Sequence, residues 1–127
     1  MSTGSPAGTF LYDDDCGFCK RMVAVARDRL GARTAFAAWQ DTDLAALGLT
    51  PEQTSEAAWV VHADGRRLRG GDAVAEVLLH SRPALRPLGR LLRLPLLRSA
   101  NRAAYGWVAA HRHRLPGGTA SCALPRG

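Results

Sequence analysis

Apolar and polar positions follow three different rhythms along this chain. Thr9–Tyr12, "TFLY", is a short β-branched and aromatic run that stops at three consecutive aspartates, which predicts a first strand ending in a turn. From Gly17 to Leu30 the apolar residues Phe18, Met22, Val25, Ala26 and Leu30 keep to one helical face, and Gly31 supplies a stop. "TAFAAW" (Thr34–Trp39) predicts a second strand, and Asp41 or Asp43 offers an N-cap for a short helix ending near Gly48. Trp59, Val60 and Val61 predict a strand, Asp64-Gly65 a type I′ turn and Arg66–Arg69 the returning strand. After Gly70-Gly71, Asp72 is the expected cap of a helix with Val74, Val77 and Leu78 on one side. The predicted order to this point is βαβα followed by ββα.

Beyond Pro83 the rhythm is wholly helical. Leu85, Leu88, Leu91 and Leu92 form a stripe with Arg86, Arg90 and Arg93 on another side, and Pro95 is expected to break or kink it. A last helix is predicted from about Leu96 to His113, followed by a turn-rich tail. Residues 9–82 thus read as an α/β unit, 83–114 as an Arg/Leu-rich helical extension and 115–127 as a flexible tail, all within one domain. The 127 residues, 46% of them apolar, suffice for one compact core.

Charge changes the picture in the second half. Residues 1–76 carry 8 basic and 11 acidic residues; residues 77–127 carry 9 arginines and no acid. A basic helical region of this kind fits an acidic partner or an anionic membrane surface, or simply a solvated face. Docking of the leucine stripe against the core is the expected arrangement, because the faces of a small sheet need covering. Nucleic acid is disfavoured, since no recognition motif accompanies the charge. No basic segment followed by an apolar run opens the chain, and no uncharged stretch is long enough to span a bilayer, so a cytoplasmic location is expected.

The candidate chemistry lies in "YDDDCGFC", Tyr12 to Cys19. A strand, a tight turn and Cys-x-x-Cys at the start of a helix put Cys16 at the helix N-terminus, where unpaired N–H groups and the macrodipole stabilise a thiolate. Cys19, one turn later, is close enough to act as a partner in exchange. Inert buried thiols fit poorly beside Asp13, Asp14 and Asp15. Zinc needs four ligands; no second Cys-x-x-Cys is present, and Cys122 with His111 or His113 is a weak substitute. No metal and no cofactor are therefore expected.

The motif resembles the Asp-x-Asp-Cys-x-x-Cys signature of the DCC family of thiol-disulfide oxidoreductases. "AAWVVHADGRRLRGGDAV", the Pro-interrupted Leu/Arg region and "AAYGWVAAHRHRL" with a late cysteine extend the similarity over about Phe10 to Cys122. The resemblance implies a thioredoxin-like three-layer α/β sandwich, here with a C-terminal helical extension. It further implies Cys16 as nucleophile, Cys19 as resolving thiol and Asp13 and Asp15 as the signature carboxylates. Where the family pattern has Gly, this chain has Asp14; Gly there suggests a positive φ, which Asp tolerates at a modest penalty. Thioredoxin-like folds also place a cis-proline before the strand facing the dithiol, and "TSEAAWVV" has none.

Carboxylates beside Cys16 oppose the helix dipole and push its thiol toward the neutral form, which moves the centre toward reductants. Trp39 and Trp59 are candidates for an apolar substrate platform, although tryptophans in such positions are more commonly core. Cys122 is a candidate third redox cysteine. The functional expectation is a dithiol reductase or exchange protein that acts on a disulfide-containing substrate and is recycled by a cellular thiol. The alternative is a non-redox partner-binding or scaffold module built on the basic helices, with cysteines that are residual or bind metal.

Overall fold

A computed structural model describes residues 8–115; the tail after Leu115, with Cys122, lies outside the described residues. Strand β1 (Thr9–Tyr12) leads into helix α1 (Gly17–Asp28) and strand β2 (Ala35–Ala38). Short helices α2 (Leu44–Leu47) and α3 (Pro51–Glu56) precede the hairpin β3 (Trp59–Val61) and β4 (Arg67–Arg69). Helices α4 (Gly71–Leu79), α5 (Arg86–Leu91) and α6 (Pro95–His111) complete the chain. The sheet order is β2-β1-β3-β4. β1 runs parallel to β2 with Tyr12 opposite Ala38, and antiparallel to β3 with Phe10 opposite Val60.

Alternation along the strands divides the core into two sides. Leu11 and Val61 pack with Leu44 and Leu49 on one face, joined by Trp39 and Trp59. Phe10, Val60 and Leu68 point to the other face, against Ala26 of α1 and Ala73 and Val77 of α4. Helices therefore cover both faces of a mixed four-stranded sheet, the expected thioredoxin-like three-layer arrangement. Helices α5 and α6 then pack on α4. A Cβ at Gly89 would come within 2.8 Å of the Leu79 backbone nitrogen, so α5 approaches α4 at a distance only glycine allows.

Several local expectations are corrected. Helix α3 was absent from the predicted order, yet Thr50 forms a capping box with Gln53 and Pro51 occupies its first turn. The hairpin is not type I′: among the described residues only glycines have positive φ, so Asp64 cannot take the left-handed conformation that turn requires. Instead Gly65 N–H donates to His62 O at 2.9 Å, and Gly65, at φ +91°, completes a three-residue connection. Asp72 does not cap α4, whose N-cap is Gly70; its carboxylate is taken by Arg98 and Arg102 of α6 at 3.1 and 2.7 Å. Pro95 does mark the expected break: α5 ends at Leu91, and Pro95 starts α6 at the position where its missing N–H costs nothing.

The leucine stripe does not dock as expected. Leu88 and Leu91 are 45% and 49% exposed, and Leu96, at the start of α6, is 87% exposed. Among the described residues, no helix is long and apolar enough to cross a membrane. The buried polar content lies elsewhere: Glu76 of α4, only 2% exposed, meets His62 at 2.8 Å, Arg66 and His80 at 3.4 Å and Arg93 at 3.5 Å.

Candidate active site

The end of β1 turns sharply because Asp13 folds back on its own successors. Its carbonyl accepts from Cys16 N–H at 3.2 Å, and its Oδ1 accepts from Asp15 N–H at 2.9 Å, a side-chain mimic of a backbone turn. Gln40, immediately after β2, clamps the same turn from the neighbouring strand. Its Nε2 donates to Asp13 Oδ1 at 2.7 Å, and its Oε1 accepts from Asp14 N–H at 3.0 Å. Asp13 is buried, whereas Asp14 and Asp15 are exposed. Asp14 has no positive φ, so the expected backbone penalty is not incurred; its carboxylate approaches Lys20 Nζ at 4.0 Å.

Cys16 is the N-cap of α1, as its place in the sequence predicts, and its sulfur accepts from Cys19 N–H at 3.4 Å. The side chain is 0% exposed and disulfide-bonded, whereas Cys19 carries a free, partly exposed thiol. The two motif sulfurs are therefore adjacent but not bonded to each other. Burial pushes the Cys19 thiol above its ordinary range; the Arg112 guanidinium opposes this, and the Asp13 carboxylate adds to it.

Cys19 forms part of the wall of a cavity of about 380 Å³ between the sheet, α1, α4 and α6. All five residues of the predicted apolar face of α1 (Phe18, Met22, Val25, Ala26 and Leu30) line it. That face thus borders open space next to the thiol instead of being fully packed. Phe10 and Phe36 form the floor, their rings tilted with centroids 5.7 Å apart. Trp39 and Trp59 are not among the cavity's lining residues; they pack with the α2 cluster across the sheet.

The far wall belongs to α6. Asn101, Tyr105, Val108, Ala109 and Arg112 recur at helical spacing and all line the cavity. Arg112, 4% exposed, donates from Nη2 to Ser55 O at 2.8 Å and from Nη1 to Cys19 Sγ at 3.5 Å. Tyr105 Oη accepts from Ala58 N–H at 2.8 Å, directly before β3. Burial raises the Tyr105 hydroxyl above its usual range, so at neutral pH it is a neutral phenol. Ala58 O accepts from Gly70 N–H at 2.9 Å, so both backbone groups of Ala58 are engaged within the chain. Ala58 lies at the strand entry where the sequence lacks a cis-proline, and its amide serves Tyr105.

Gln40, Tyr105 and Arg112 were not singled out from sequence. The signal for Gln40 was the parallel pairing itself: with Tyr12 opposite Ala38, residues just past β2 must face the residues just past β1. The signal for Arg112 was the i, i+4, i+7, i+8, i+11 face running from Asn101. Among the described residues no cluster of three or more His, Cys, Asp or Glu is arranged to hold a metal ion. His111 Nδ1–H donates to Trp107 O at 2.7 Å, and the His111 ring stacks on the Trp107 ring with centroids 4.3 Å apart.

Searches of curated proteins and of solved structures returned no match. The family model described as DCC1-like thiol-disulfide oxidoreductase matches residues 10–118, which contain the turn, both motif cysteines and the α6 wall, and the chain belongs to that family.

Proposed function

We propose that the chain performs dithiol–disulfide exchange in which Cys16 forms the mixed disulfide and Cys19 resolves it. The observation that carries this reading is the state of the pair: Cys16 disulfide-bonded at the helix cap, with the free Cys19 thiol one turn away. In the forward cycle the Cys16 thiolate attacks a substrate disulfide, forms a Cys16–substrate bond and expels one substrate thiolate. Cys19 then attacks Cys16 Sγ, closing a Cys16–Cys19 disulfide and releasing the second substrate thiolate. Two electrons and two protons reach the substrate, and a cellular dithiol or low-molecular-weight thiol re-reduces the pair.

The proposed direction is reduction, in a cytoplasmic setting. A thiolate stabilised in the reduced form makes an oxidant. Here burial and Asp13 both work against the Cys19 thiolate. A measured potential near about −120 mV, the range of strong oxidants, would contradict this poise. Cys122 is proposed as a third redox cysteine that exchanges with Cys16. The exposed leucines at the α5–α6 corner, with Arg86 and Arg90 beside them, support an anionic membrane surface as a partner of this face.

The deciding experiment is trapping. Cys19→Ser should accumulate a mixed disulfide through Cys16 that dithiothreitol releases, and Cys16→Ser should accumulate none. A Cys19→Ser chain that captures nothing under oxidising challenge would favour the scaffold reading, in which the cysteines do no exchange.

A further inference from the structure

A guanidinium taken out of water costs several kcal/mol unless good acceptors surround it. The acceptors around the Arg112 guanidinium include Ser55 O at 2.8 Å and Cys19 Sγ at 3.5 Å. A thiol is a poor acceptor, whereas a thiolate is a full anion and forms a charge-assisted contact with the same nitrogen. The sulfur lies against an apolar cavity, where water screens that attraction weakly. Among the described residues, the groups facing Cys19 are Asp13 from the β1–α1 turn, Cys16 from the helix cap, and Tyr105 and Arg112 from α6 and its cap. Asp13 is an acid, Cys16 is disulfide-bonded and burial keeps Tyr105 a neutral phenol, so among these four Arg112 alone is basic.

We propose that Arg112 is the electrostatic partner of the resolving cysteine: it orients the Cys19 sulfur and stabilises its thiolate for attack on Cys16. In that step the Cys19 thiolate forms a bond to Cys16 Sγ while the bond from Cys16 Sγ to its partner sulfur breaks. The electron pair leaves on the partner sulfur, which takes a proton from solvent. Arg112 loses its anionic neighbour as the new disulfide forms and is itself neither oxidised nor deprotonated. The final helix is then part of the reaction centre, reaching it from 93 residues away in sequence.

The role in resolution rests on the exchange reading given above, whereas the coupling of Arg112 to Cys19 can be measured without it. In a full-length chain carrying Cys16→Ser and Cys122→Ser, Cys19 is the sole thiol, and its iodoacetamide alkylation rate is followed against pH. Arg112→Gln should slow alkylation at pH 7 about fivefold to tenfold and move the profile's midpoint to higher pH. Arg112→Lys, which keeps the charge, should stay within about twofold of the arginine chain. An unchanged rate and midpoint in Arg112→Gln would overturn the proposal, as would a lysine variant as slow as the glutamine one. If Arg112→Gln does not fold, the lysine variant decides alone: a loss of fivefold or more refutes the charge role. Failure of trapping with this coupling intact would remove the exchange cycle and leave the Arg112–Cys19 contact standing.

Discussion

Replacing Asp13 by Asn should weaken the fold and quicken Cys19 at the same time, and the opposite signs make the prediction exacting. Asp13 is the buried member of the three aspartates, and its Oδ1 accepts from Asp15 N–H at 2.9 Å and Gln40 Nε2 at 2.7 Å. Asn keeps an oxygen in that place but removes the charge. Hydrogen bonds to a charged group contribute roughly 1.5–3 kcal/mol and neutral ones about 1, so two bonds lose somewhat over 1 kcal/mol between them. Relief from burying a carboxylate returns part of that, leaving a net destabilisation of about 1 kcal/mol. The same lost charge no longer disfavours the Cys19 thiolate. An interaction of about 1 kcal/mol corresponds to roughly a fivefold faster alkylation at pH 7. Urea unfolding with an unchanged slope reports the first effect, and iodoacetamide kinetics on a chain with Cys19 as sole thiol report the second. A folded Asp13→Asn chain whose Cys19 reacts no faster would refute the electrostatic account of the turn.

Two further predictions concern the acids that hold the C-terminal helices. Glu76→Gln should cost about 3 kcal/mol in urea unfolding, because it leaves buried His62, together with Arg66, His80 and Arg93, without their common anion. A cost below about 1 kcal/mol would mean that the cluster is not held by charge. At Asp72, burial by itself raises the carboxyl, but hydrogen bonds from Arg102 and Arg98 and their charges outweigh it and hold the carboxyl below its ordinary range. A depressed folded value contributes stability that is present above the unfolded value, near pH 4, and is lost as pH falls through the folded one. Asp72→Asn should therefore lose up to about 1 kcal/mol above about pH 5, with the difference from the native chain closing below about pH 3. A difference that persists undiminished in acid would show that the pairing with Arg98 and Arg102 is not its source.

What the sequence disclosed was local chemistry, and what it concealed was tertiary pairing. The β1 strand, the Cys16 cap, the apolar face of α1 and the Asp43-to-Gly48 helix could be read because each depends on residues within one or two turns of each other. Helix α3 is equally legible, from the capping-box pair Thr50 and Gln53 and the first-turn Pro51. Asp72 was misread because an acid in a helix's first turn can serve either as a cap or as a tertiary ion pair. The deciding partners, Arg98 and Arg102, lie 26 and 30 residues on. The leucine stripe was assigned to docking because periodicity shows that a face is apolar and not what covers it. Arg112 was counted as one more charge in a basic tail, since nothing within ten residues of it in sequence names Cys19.

Counting that tail as a single basic surface conceals three different uses of arginine. Arg98 and Arg102 share the Asp72 carboxylate, and Arg93 reaches Glu76, so these charges fasten α5 and α6 to α4. Arg112 is turned inward, where it donates to Ser55 O and to Cys19 Sγ. The charge left to attract an external acidic partner is correspondingly smaller than the count of arginines implies, and among the described residues it includes Arg90, exposed on α5 with Leu88 and Leu91. The fastening has a consequence for the site: Tyr105 and Arg112 reach Ala58 and Cys19 only because α6 is held along its length by Asp72 and by Asn101, which donates to Gly71 O at 2.7 Å. Removing residues after 82 to obtain a minimal thioredoxin-like unit would therefore delete the cation that faces Cys19 and expose the apolar side of α4. The helical extension is better regarded as one wall of the candidate site than as an appendage to it.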